Sequence, residues 1–352
     1  MRNDAPTIKP RLGGILRGDR HAVRISDESL VRIEPLRPGW AIPEVIAPAA
    51  DGVDLVAWAK GHRELIEDLL IRHRALVFRG FQVRTVEQFQ RFVAATSTGD
   101  PLEYRDRSTP RPAVGEKIYV STIYPARERI QPHNEGTYWR TWARKIYFCC
   151  LRAPEQGGET PIIDVRKVLS RIDPDVRRSF EEKGVLYQRN YNDGFGLPWQ
   201  DAFQTQDRDE VEAYCREHQI ETEWKEGNRL RTRQVRPAVR THPITGETLW
   251  FNHAAFFHIS SLEEETRRSL LADFGEDGLP YNTYFGDGSA IDPAVVSHLR
   301  EAYQQEMVMF PWCEGDVMLL DNMTMAHARE PYEGERKVIV AMTEPVTGVQ
   351  AA

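Results

Sequence analysis

The most constraining feature of this chain is a pair of residues, His133 and Glu135, that stands far in sequence from a third, His327. In an extended segment, residues i and i+2 point to the same side, so His133 and Glu135 can reach one metal ion together. His327 lies 194 positions beyond His133 and follows an apolar run at residues 317–320 that predicts a strand. A site completed by His327 therefore requires a closed fold rather than a local metal finger.

Two histidines and one carboxylate occupy one face of an octahedral ion and leave the other face open, which is typical of non-haem Fe(II) oxygenases. Zinc enzymes with three protein ligands use the same residue types, so the triad alone leaves a metal-dependent hydrolase open. Arg336 helps to distinguish an oxygenase from a hydrolase, because it shares one side of a predicted strand with Val338 and Val340. A buried arginine beside apolar residues requires an anion. That anion is either a dicarboxylate cosubstrate or an acidic side chain of the protein.

The composition fits a large enzyme that acts on a small molecule. The chain has 352 residues, of which 41% are hydrophobic, enough for a sizeable core. Its net charge of −7 and the absence of a dominant basic stretch argue against nucleic acid as a partner. No apolar run reaches the ~18 residues of a membrane helix, and the N-terminus lacks the apolar core of a signal peptide. With four cysteines and no CxxC pair, the sequence predicts a cytoplasmic protein with reduced thiols.

Elements and domains can be read along the chain. Residues 1–40 are rich in Arg, Pro and Gly and predict an N-terminal arm, followed by a single domain at 41–352. Apolar spacing predicts one helix over residues 53–72, and Thr85-x-x-Gln88 predicts a capping box at the start of the next. From about residue 118, short strands are interspersed with helices. This pattern predicts a mainly β fold with helical decoration (α+β), a double-stranded β-helix (jelly roll) with a helical insertion at about 165–300.

Three further motifs occur in an order and spacing that identify a family. They are Pro154-x-x-Gly157-Gly158-Glu159-Thr160, then His242-Pro243-x-Thr245-Gly246 leading to Phe251-Asn252, then Asp321-Asn322-x-x-x-x-His327 followed by Arg336. From about residue 40 to 345 the chain resembles the TauD/TfdA-like (clavaminate synthase-like) superfamily of Fe(II)/2-oxoglutarate-dependent oxygenases. Within it, the chain is most similar to the branch of the syringomycin-type aspartate hydroxylases.

This resemblance implies that His133, Glu135 and His327 hold Fe(II). It also implies that Arg336 and Thr160 bind the distal carboxylate of 2-oxoglutarate, with O2 as the second cosubstrate and ascorbate as a support of activity. The expected reaction is hydroxylation of an unactivated C–H bond of an amino acid or amino-acid-derived metabolite in natural-product biosynthesis. The substrate is either free or delivered by a peptidyl carrier protein. A desaturase or cyclase with the same site stays open, as does, at a greater distance, a zinc- or manganese-dependent hydrolase on a cupin-like barrel.

Two departures from the better-known members narrow the substrate. Glu135 replaces their aspartate, which favours the amino-acid-hydroxylating branches and disfavours halogenation, because related halogenases lose this carboxylate. Val340 stands where the taurine enzyme carries a second arginine, so a sulfonate held in that way is not expected. The aromatic segment 250–258 contains interleaved polar residues, which favour a pocket wall over plain core. The candidates for contact with the primary substrate are Asn252, His253, Arg329, Asn134 and Thr122. The sequence leaves the oligomeric state open, a homo-oligomer included.

Overall fold

The strands of the described residues form five sheets, several of which contribute side chains to one hydrophobic core. The computed structural model describes residues 30–99, 102, 106, 113–121, 124–191 and 196–348. The strands are β1 (Val31–Pro35), β2 (Glu44–Pro48), β3 (Ala75–Phe78), β4 (Ala113–Gly115), β5 (Ile118–Val120), β6 (Ile130–His133), β7 (Thr141–Arg152), β8 (Gln156–Gly157), β9 (Ile162–Asp164), β10 (Val185–Tyr191), β11 (Glu221–Lys225), β12 (Arg229–Arg236), β13 (Val239–Thr241), β14 (Thr248–Trp250), β15 (Tyr281–Phe285), β16 (Met307–Val308), β17 (Val317–Asp321), β18 (Met325–Arg329), β19 (Tyr332–Glu333) and β20 (Lys337–Thr347). The helices are α1 (Leu55–Gly61), α2 (Arg63–His73), α3 (Val86–Thr96), α4 (Val165–Arg171), α5 (Pro174–Lys183), α6 (Trp199–Phe203), α7 (Arg208–Glu217), α8 (Ala254–Phe257), α9 (Glu264–Phe274) and α10 (Pro293–Gln305).

The predicted jelly roll is confirmed by the two sheets that face each other. The main sheet has the strand order β1-β2-β3-β17-β7-β20-β5-β4, and the smaller sheet has the order β16-β9-β18-β6. Non-consecutive strands are neighbours in both, as in a wound β-sandwich. The pairs are antiparallel except β2 with β3. Apolar side chains from both sheets meet in one core, including Ile146 and Val340 from the main sheet and Ile163 and Met325 from the smaller one.

Strand β7 is buried on both faces because the main sheet is covered on both sides. Ile146, Phe148 and Cys150 point into the core between the sheets. Tyr147 and Cys149 point the other way, into a second core formed with α1, α2 and α3. Side chains alternate along a strand, so the adjacent cysteines face opposite sides, as predicted. All four cysteines are free.

The helical layer differs from the sequence prediction at one point. The single helix predicted over residues 53–72 is two helices, α1 and α2, which meet at His62. The backbone of His62 is non-helical, and its ring Nδ1 lies 2.8 Å from the carbonyl oxygen of Trp58. Gly61, a poor helix former, precedes the break. The predicted capping box is present, with the Thr85 hydroxyl accepting from the N–H of Gln88 and the Gln88 side chain accepting from Thr85.

The segment predicted as a helical insertion at about 165–300 also contains a sheet. Helices α4 to α10 lie in or begin in this segment, together with an antiparallel sheet of order β11-β12-β10-β15. Its strand β12 reads Arg-Leu-Arg-Thr-Arg-Gln-Val-Arg, whose many arginines hide the β pattern. At the other end of the chain, β1 pairs with β2 and lies inside the range predicted as an arm. No helix in the described ranges is long and apolar enough to cross a membrane.

A cluster of charges is buried where α2 and α3 meet the main sheet. The side chain of Lys145, on β7, is 1% exposed, and its Nζ lies 2.7 Å from Glu67 and 2.8 Å from Glu344. Lys145 also donates to the carbonyl oxygen of Thr96 at 2.9 Å, and Arg144 pairs with both carboxylates. Burial acts to raise the pKa of Glu344, but the bonds to Lys145 and Arg144 outweigh it and hold that pKa below its ordinary value.

We expect Lys145→Ala to lower the free energy of unfolding by about 1–3 kcal/mol at neutral pH, because two partly buried carboxylates lose one of their two cationic partners and the carbonyl of Thr96 loses its donor. A depressed pKa contributes stability above the ordinary carboxyl value of about 4.3, and this contribution is lost as the pH falls through the depressed value. The difference in the free energy of unfolding between wild type and variant should therefore become smaller below about pH 4. Denaturant unfolding at neutral pH and below pH 4 measures this difference. Lys60→Ala, at an exposed lysine of α1, is the control, and a Lys145→Ala cost no larger than the control's would contradict the prediction.

Candidate active site

The three residues predicted to bind a metal come together in the smaller sheet. His133, on β6, is the direct pairing partner of His327, on β18. Glu135 follows two residues after His133, beyond the end of β6. One ligand atom from each residue lies within 4.8 Å of the other two, and all three side chains are buried. This spacing is compatible with a single ion between them.

The donor set fits a divalent metal such as Fe(II). Nδ1 of His133 lies 2.8 Å from the carbonyl oxygen of Gln131. A carbonyl oxygen only accepts, so Nδ1 carries the proton and the lone pair is on Nε2, the form that a metal ligand needs. Two imidazoles and one carboxylate, from His133, His327 and Glu135, form the ligand set expected for non-haem iron.

Asn322 fixes the position of Glu135 through the backbone. Its side-chain oxygen accepts from the N–H of Glu135 at 2.8 Å, and its amide donates to the carbonyl of Glu135 at 3.0 Å. The same amide donates to the carbonyl of Ala143 at 2.8 Å. All of these groups are buried, so each bond also satisfies a polar atom that water does not reach. This role explains the asparagine of the Asp321-Asn322 motif.

The preceding residue, Asp321, links that motif to the His242 motif. Nε2 of His242 lies 3.0 Å from a carboxylate oxygen of Asp321, and both side chains are buried. The other carboxylate oxygen accepts from the backbone N–H groups of Met323 and Thr324. The turn between β17 and β18, which leads to His327, is therefore held by side chains from two motifs.

A small cavity beside the triad contains the predicted cosubstrate residues. It encloses about 390 Å³ of non-atom space, open solvent at its mouth included. Arg336 and Thr160 line it together with His133 and His327. The guanidinium of Arg336 donates to the hydroxyl of Thr160 at 3.2 Å and to the carbonyl of Gly158 at 2.9 Å.

Arg336 forms no ion pair with a carboxylate among the described residues, although its side chain is largely buried. Burial, and to a smaller extent the charge of Arg329, lowers the pKa of Arg336 to about 10, so the guanidinium remains protonated at neutral pH. A buried cation of this kind requires an anion for its stability. The alternative of a structural salt bridge is not found in the described part of the chain, and the cavity in front of Arg336 is where an anion can bind.

The Gly157-Gly158 motif allows the backbone to approach Arg336. Gly158 has a φ of +70°, and a Cβ on it would lie 2.7 Å from the ring of Pro154 and 3.1 Å from Cδ of Arg336. A larger residue would displace the carbonyl that Arg336 bonds. The hydroxyl of Thr160 receives a second donor, the indole N–H of Trp312 at 3.1 Å. With its oxygen accepting two bonds, Thr160 retains its own O–H hydrogen for a ligand in the cavity.

A larger cavity of about 1010 Å³, including its open mouth, lies on the other side of His133. His133 and Ile130 line both cavities. The sequence analysis did not find most of this wall, because its residues come from separate loops and carry no shared motif. The residues missed are Tyr124, Glu128, Arg129, Gln131, Ser261, Leu262, Glu263 and Tyr281. Phe256 and Phe257, by contrast, belong to the aromatic segment 250–258 that the sequence favoured as a pocket wall.

Of the predicted substrate residues that the structure describes, only His253 lies in the wall of this larger cavity. Its Nε2 donates to the carbonyl of Asn134 at 2.6 Å, and among the described residues its buried Nδ1 has no partner. Burial, and then the neighbouring His133, lowers the pKa of His253 to about 3, so the ring is neutral. Its Nδ1 is therefore a hydrogen-bond acceptor.

The other substrate candidates lie elsewhere. Asn252 is buried between backbone groups, donating to the carbonyl of Ala238 and accepting from the N–H of Ala254, and it lines neither cavity. Asn134 is fully buried and donates to the carbonyl of Asn322. We assign both to the support of the loop rather than to substrate contact. Thr122 lies outside the described residues.

Arg329 fastens a loop instead of presenting its charge to a substrate. It lies in the wall of the small cavity, and its guanidinium donates to the carbonyl groups of Tyr124, Pro125 and Glu128 at 3.0, 2.6 and 2.7 Å. The adjacent Glu330 does not pair with Arg329, since it pairs with Arg129 at 2.6 Å. Arg329 thus joins β18 to segment 124–128, which forms part of the wall of the larger cavity.

We expect Arg329→Lys to loosen segment 124–128, because a lysine cannot place donors on three carbonyl groups at once. Arg127 lies in this segment with its side chain 88% exposed, so trypsin can report the change. At about 1 kcal/mol for each lost hydrogen bond, cleavage after Arg127 should become about tenfold faster. Mass spectrometry of the peptides measures it, with Arg268→Lys on the surface of α9 as the control. Equal cleavage of the two variants would contradict this role for Arg329.

Comparison with known proteins agrees with this geometry. The family model "Taurine catabolism dioxygenase TauD, TfdA family" matches residues 32–343. The dapdiamide synthesis protein DdaC of Enterobacter agglomerans is 42% identical over 281 residues, covering 80% of this chain and 85% of DdaC. A clavaminate synthase-like protein of Arabidopsis thaliana is 27% identical over 320 residues, covering 85% of this chain and 93% of that protein.

Among solved structures, PvcB from Pseudomonas aeruginosa is similar with a TM-score of 0.54 and 15% identity, covering 92% of this chain and 94% of PvcB. At this identity the likeness shows the fold alone. The narrower resemblance to syringomycin-type aspartate hydroxylases stays a prediction. The family match, which spans most of the sequence, shows that this chain belongs to the TauD/TfdA family of Fe(II)- and 2-oxoglutarate-dependent oxygenases.

Proposed function

We propose that this chain is an Fe(II)/2-oxoglutarate-dependent dioxygenase that hydroxylates an unactivated C–H bond of an amino acid or amino-acid-derived metabolite in natural-product biosynthesis. The observation that carries the proposal is that Arg336, buried and without a described carboxylate partner, shares one cavity with His133 and His327. The similarity to a dapdiamide synthesis protein supports a biosynthetic role. PvcB, which shares the fold, is described as an Fe, alpha-ketoglutarate dependent oxygenase from an isonitrile synthetic pathway.

In this proposal the residues of the small cavity bind the metal and the cosubstrate. His133, Glu135 and His327 hold the ion. Arg336 and Thr160 bind the distal carboxylate of 2-oxoglutarate, the first by charge and the second through its hydroxyl hydrogen. When bound, Fe(II) and 2-oxoglutarate supply the oxidising chemistry, in which the keto acid and O2 are consumed and succinate and CO2 are released.

The larger cavity holds the primary substrate in this proposal. His133 and Glu135 lie in its wall, so a substrate there reaches the metal-binding residues directly. The aromatic rings of Phe256 and Phe257 line this region. Phe256 packs against His133 with ring centroids 4.5 Å apart, which restricts the orientation of that imidazole. The chain therefore contributes the positioning that these reactions require.

The test of the function is a spectrum followed by a turnover assay. Anaerobic addition of Fe(II) and 2-oxoglutarate should produce a weak visible charge-transfer band, and air with a suitable substrate should then release succinate. His133→Ala should lose both signals, while His298→Ala, on α10 and outside both cavities, should keep them. A wild-type protein that shows neither band nor succinate with any iron loading would overturn the proposal in favour of a hydrolase. Product mass separates hydroxylation, a gain of one oxygen, from desaturation or oxidative ring closure, a loss of two hydrogens.

We expect Asn322→Asp to weaken Fe(II) binding by about 10- to 100-fold, because a carboxylate cannot donate to the carbonyl groups of Glu135 and Ala143. Loss of these bonds allows Glu135 to move from the position where it meets the two histidines. Titration with Fe(II) or Mn(II) measures the affinity, and thermal unfolding of the metal-free protein checks that the variant folds. Asn228→Asp, at an exposed turn where the residue only accepts from Arg208, is the matched control. Wild-type affinity in Asn322→Asp would show that Glu135 does not depend on Asn322.

A further inference from the structure

Two hydroxyl groups in the wall of the small cavity accept hydrogen bonds from Arg336, but they are held differently. The Ser121 hydroxyl lies 3.4 Å from a guanidinium nitrogen and has no second donor among the described residues. The Thr160 hydroxyl lies 3.2 Å from the guanidinium and also accepts from the indole N–H of Trp312 at 3.1 Å. A hydroxyl has two lone pairs and one hydrogen. Because both lone pairs of Thr160 are occupied, the direction of its O–H hydrogen is fixed.

Trp312 supports Thr160 from outside the cavity. Its side chain is buried, and it lines neither the small cavity nor the larger one. Thr160 does line the small cavity, and in the described part of the chain nothing accepts its O–H hydrogen. A buried donor without an acceptor is costly unless a ligand supplies one. The fixed hydrogen is therefore available to the same anion that Arg336 requires.

Arg79 holds the segment that contains Trp312 on both sides of the indole. Its guanidinium donates to the carbonyl oxygen of Pro311 at 3.1 Å and to both carboxylate oxygens of Asp316, at 3.1 and 2.7 Å. Asp316 is fully buried, and its carboxylate also accepts from the N–H of Cys313 at 2.9 Å. A bidentate pair of this kind fixes orientation as well as distance. The position of the indole is thus set by Arg79, which directly follows β3 of the main sheet.

We propose that Trp312 is a positioning residue for the cosubstrate, because it fixes the Thr160 hydroxyl so that the hydrogen is directed to the distal carboxylate of 2-oxoglutarate beside Arg336. This inference rests on the proposed function and adds to it a residue that lies outside the cavity wall. A donor that is already oriented loses less freedom on binding than a hydroxyl that rotates. Hydrogen bonds to charged acceptors are also among the stronger ones in proteins, so a misdirected hydroxyl costs affinity for the dicarboxylate.

The test measures the Kd of 2-oxoglutarate through the anaerobic charge-transfer band of the Fe(II)-loaded protein. Trp312→Phe removes the indole N–H and keeps an aromatic ring, and we expect it to raise the Kd about fivefold. Thr160→Val removes the hydroxyl itself and should raise the Kd about tenfold. If Trp312 acts through Thr160, the double variant should bind no more weakly than Thr160→Val alone, because the two changes remove one interaction.

Trp199→Phe is the matched control. Trp199 is also buried, donates its indole N–H to the carbonyl oxygen of Asn228 at 2.9 Å and lies outside both cavities, so this change should leave the Kd as in wild type. A wild-type Kd in Trp312→Phe, or losses that multiply in the double variant, would overturn the inference. If wild type gives no charge-transfer band, the proposed function itself has failed; if the band forms and only the coupling to Thr160 is absent, this inference alone has failed.

A measurement that leaves Trp312 in place covers the case in which Trp312→Phe does not fold. The chain has eight tryptophans, and the indole N–H signal that differs between wild type and Thr160→Val in the NMR spectrum of nitrogen-labelled protein belongs to Trp312. With zinc as a diamagnetic ion, 2-oxoglutarate should shift this signal in wild type, because a hydroxyl that donates to a carboxylate becomes a stronger acceptor. The signal should stay in place in Thr160→Val. No shift in wild type, or equal shifts in both proteins, would contradict the role of Trp312.

Discussion

The hydrogen bonds between Asn322 and Glu135 join two segments that lie 187 positions apart, and the site depends on them. One amide satisfies the N–H and the carbonyl of the same residue, as a neighbouring β-strand would do. Asp321, the residue before it, is fixed by His242 and caps the turn that leads to His327. The triad is therefore positioned by the hydrogen-bonding requirements of the buried backbone, which exist whether or not a metal is bound.

Two buried arginines show how differently the same group can be used within one cavity wall. Arg329 lies two residues after His327, and its two terminal nitrogens donate to three carbonyl oxygens of the protein. Arg336 donates to a single carbonyl and to the hydroxyl of Thr160, and it faces the cavity without a described carboxylate. A buried guanidinium keeps its charge because it is not deprotonated, so each arginine needs partners for that charge. Arg329 has its partners within the protein, whereas Arg336 still requires a bound ligand. Arg329 therefore holds a loop in place, whereas Arg336 is the residue that we propose to bind the cosubstrate.

The amino-acid sequence was enough to predict those parts of the protein that are marked by sequence motifs or by the pattern of apolar residues along a strand. The triad, Arg336 and Thr160 were predicted as site residues, and the structure brings all five to one place. The structure also contains the predicted jelly roll, because strands such as β7 and β20 are strongly apolar.

What the sequence did not reveal depends on contacts between distant segments. The sheet of the insertion was hidden because β12 is rich in arginine, and buried Lys145 gives no sign in sequence that Glu67 and Glu344 surround it. Arg329 was predicted to contact the primary substrate, because the backbone carbonyl groups that accept its hydrogen bonds lie 201 to 205 positions earlier and cannot be identified from the sequence. Residues of the larger cavity were missed for the same reason.

Strand β6 forms the partition between the two cavities, since Ile130 and His133 line both. A partition one strand thick has no spare volume, so a change in the size of residue 130 alters both chambers at once. His133, the proposed metal ligand in the same strand, cannot move to compensate. Adaptation of this scaffold to new substrates is therefore directed to the outer wall, at segments 124–129 and 256–263, which bear none of the three metal-site residues. A single strand thus separates the cavity proposed to bind the primary substrate, which can vary, from the cavity proposed to bind the cosubstrate, which cannot.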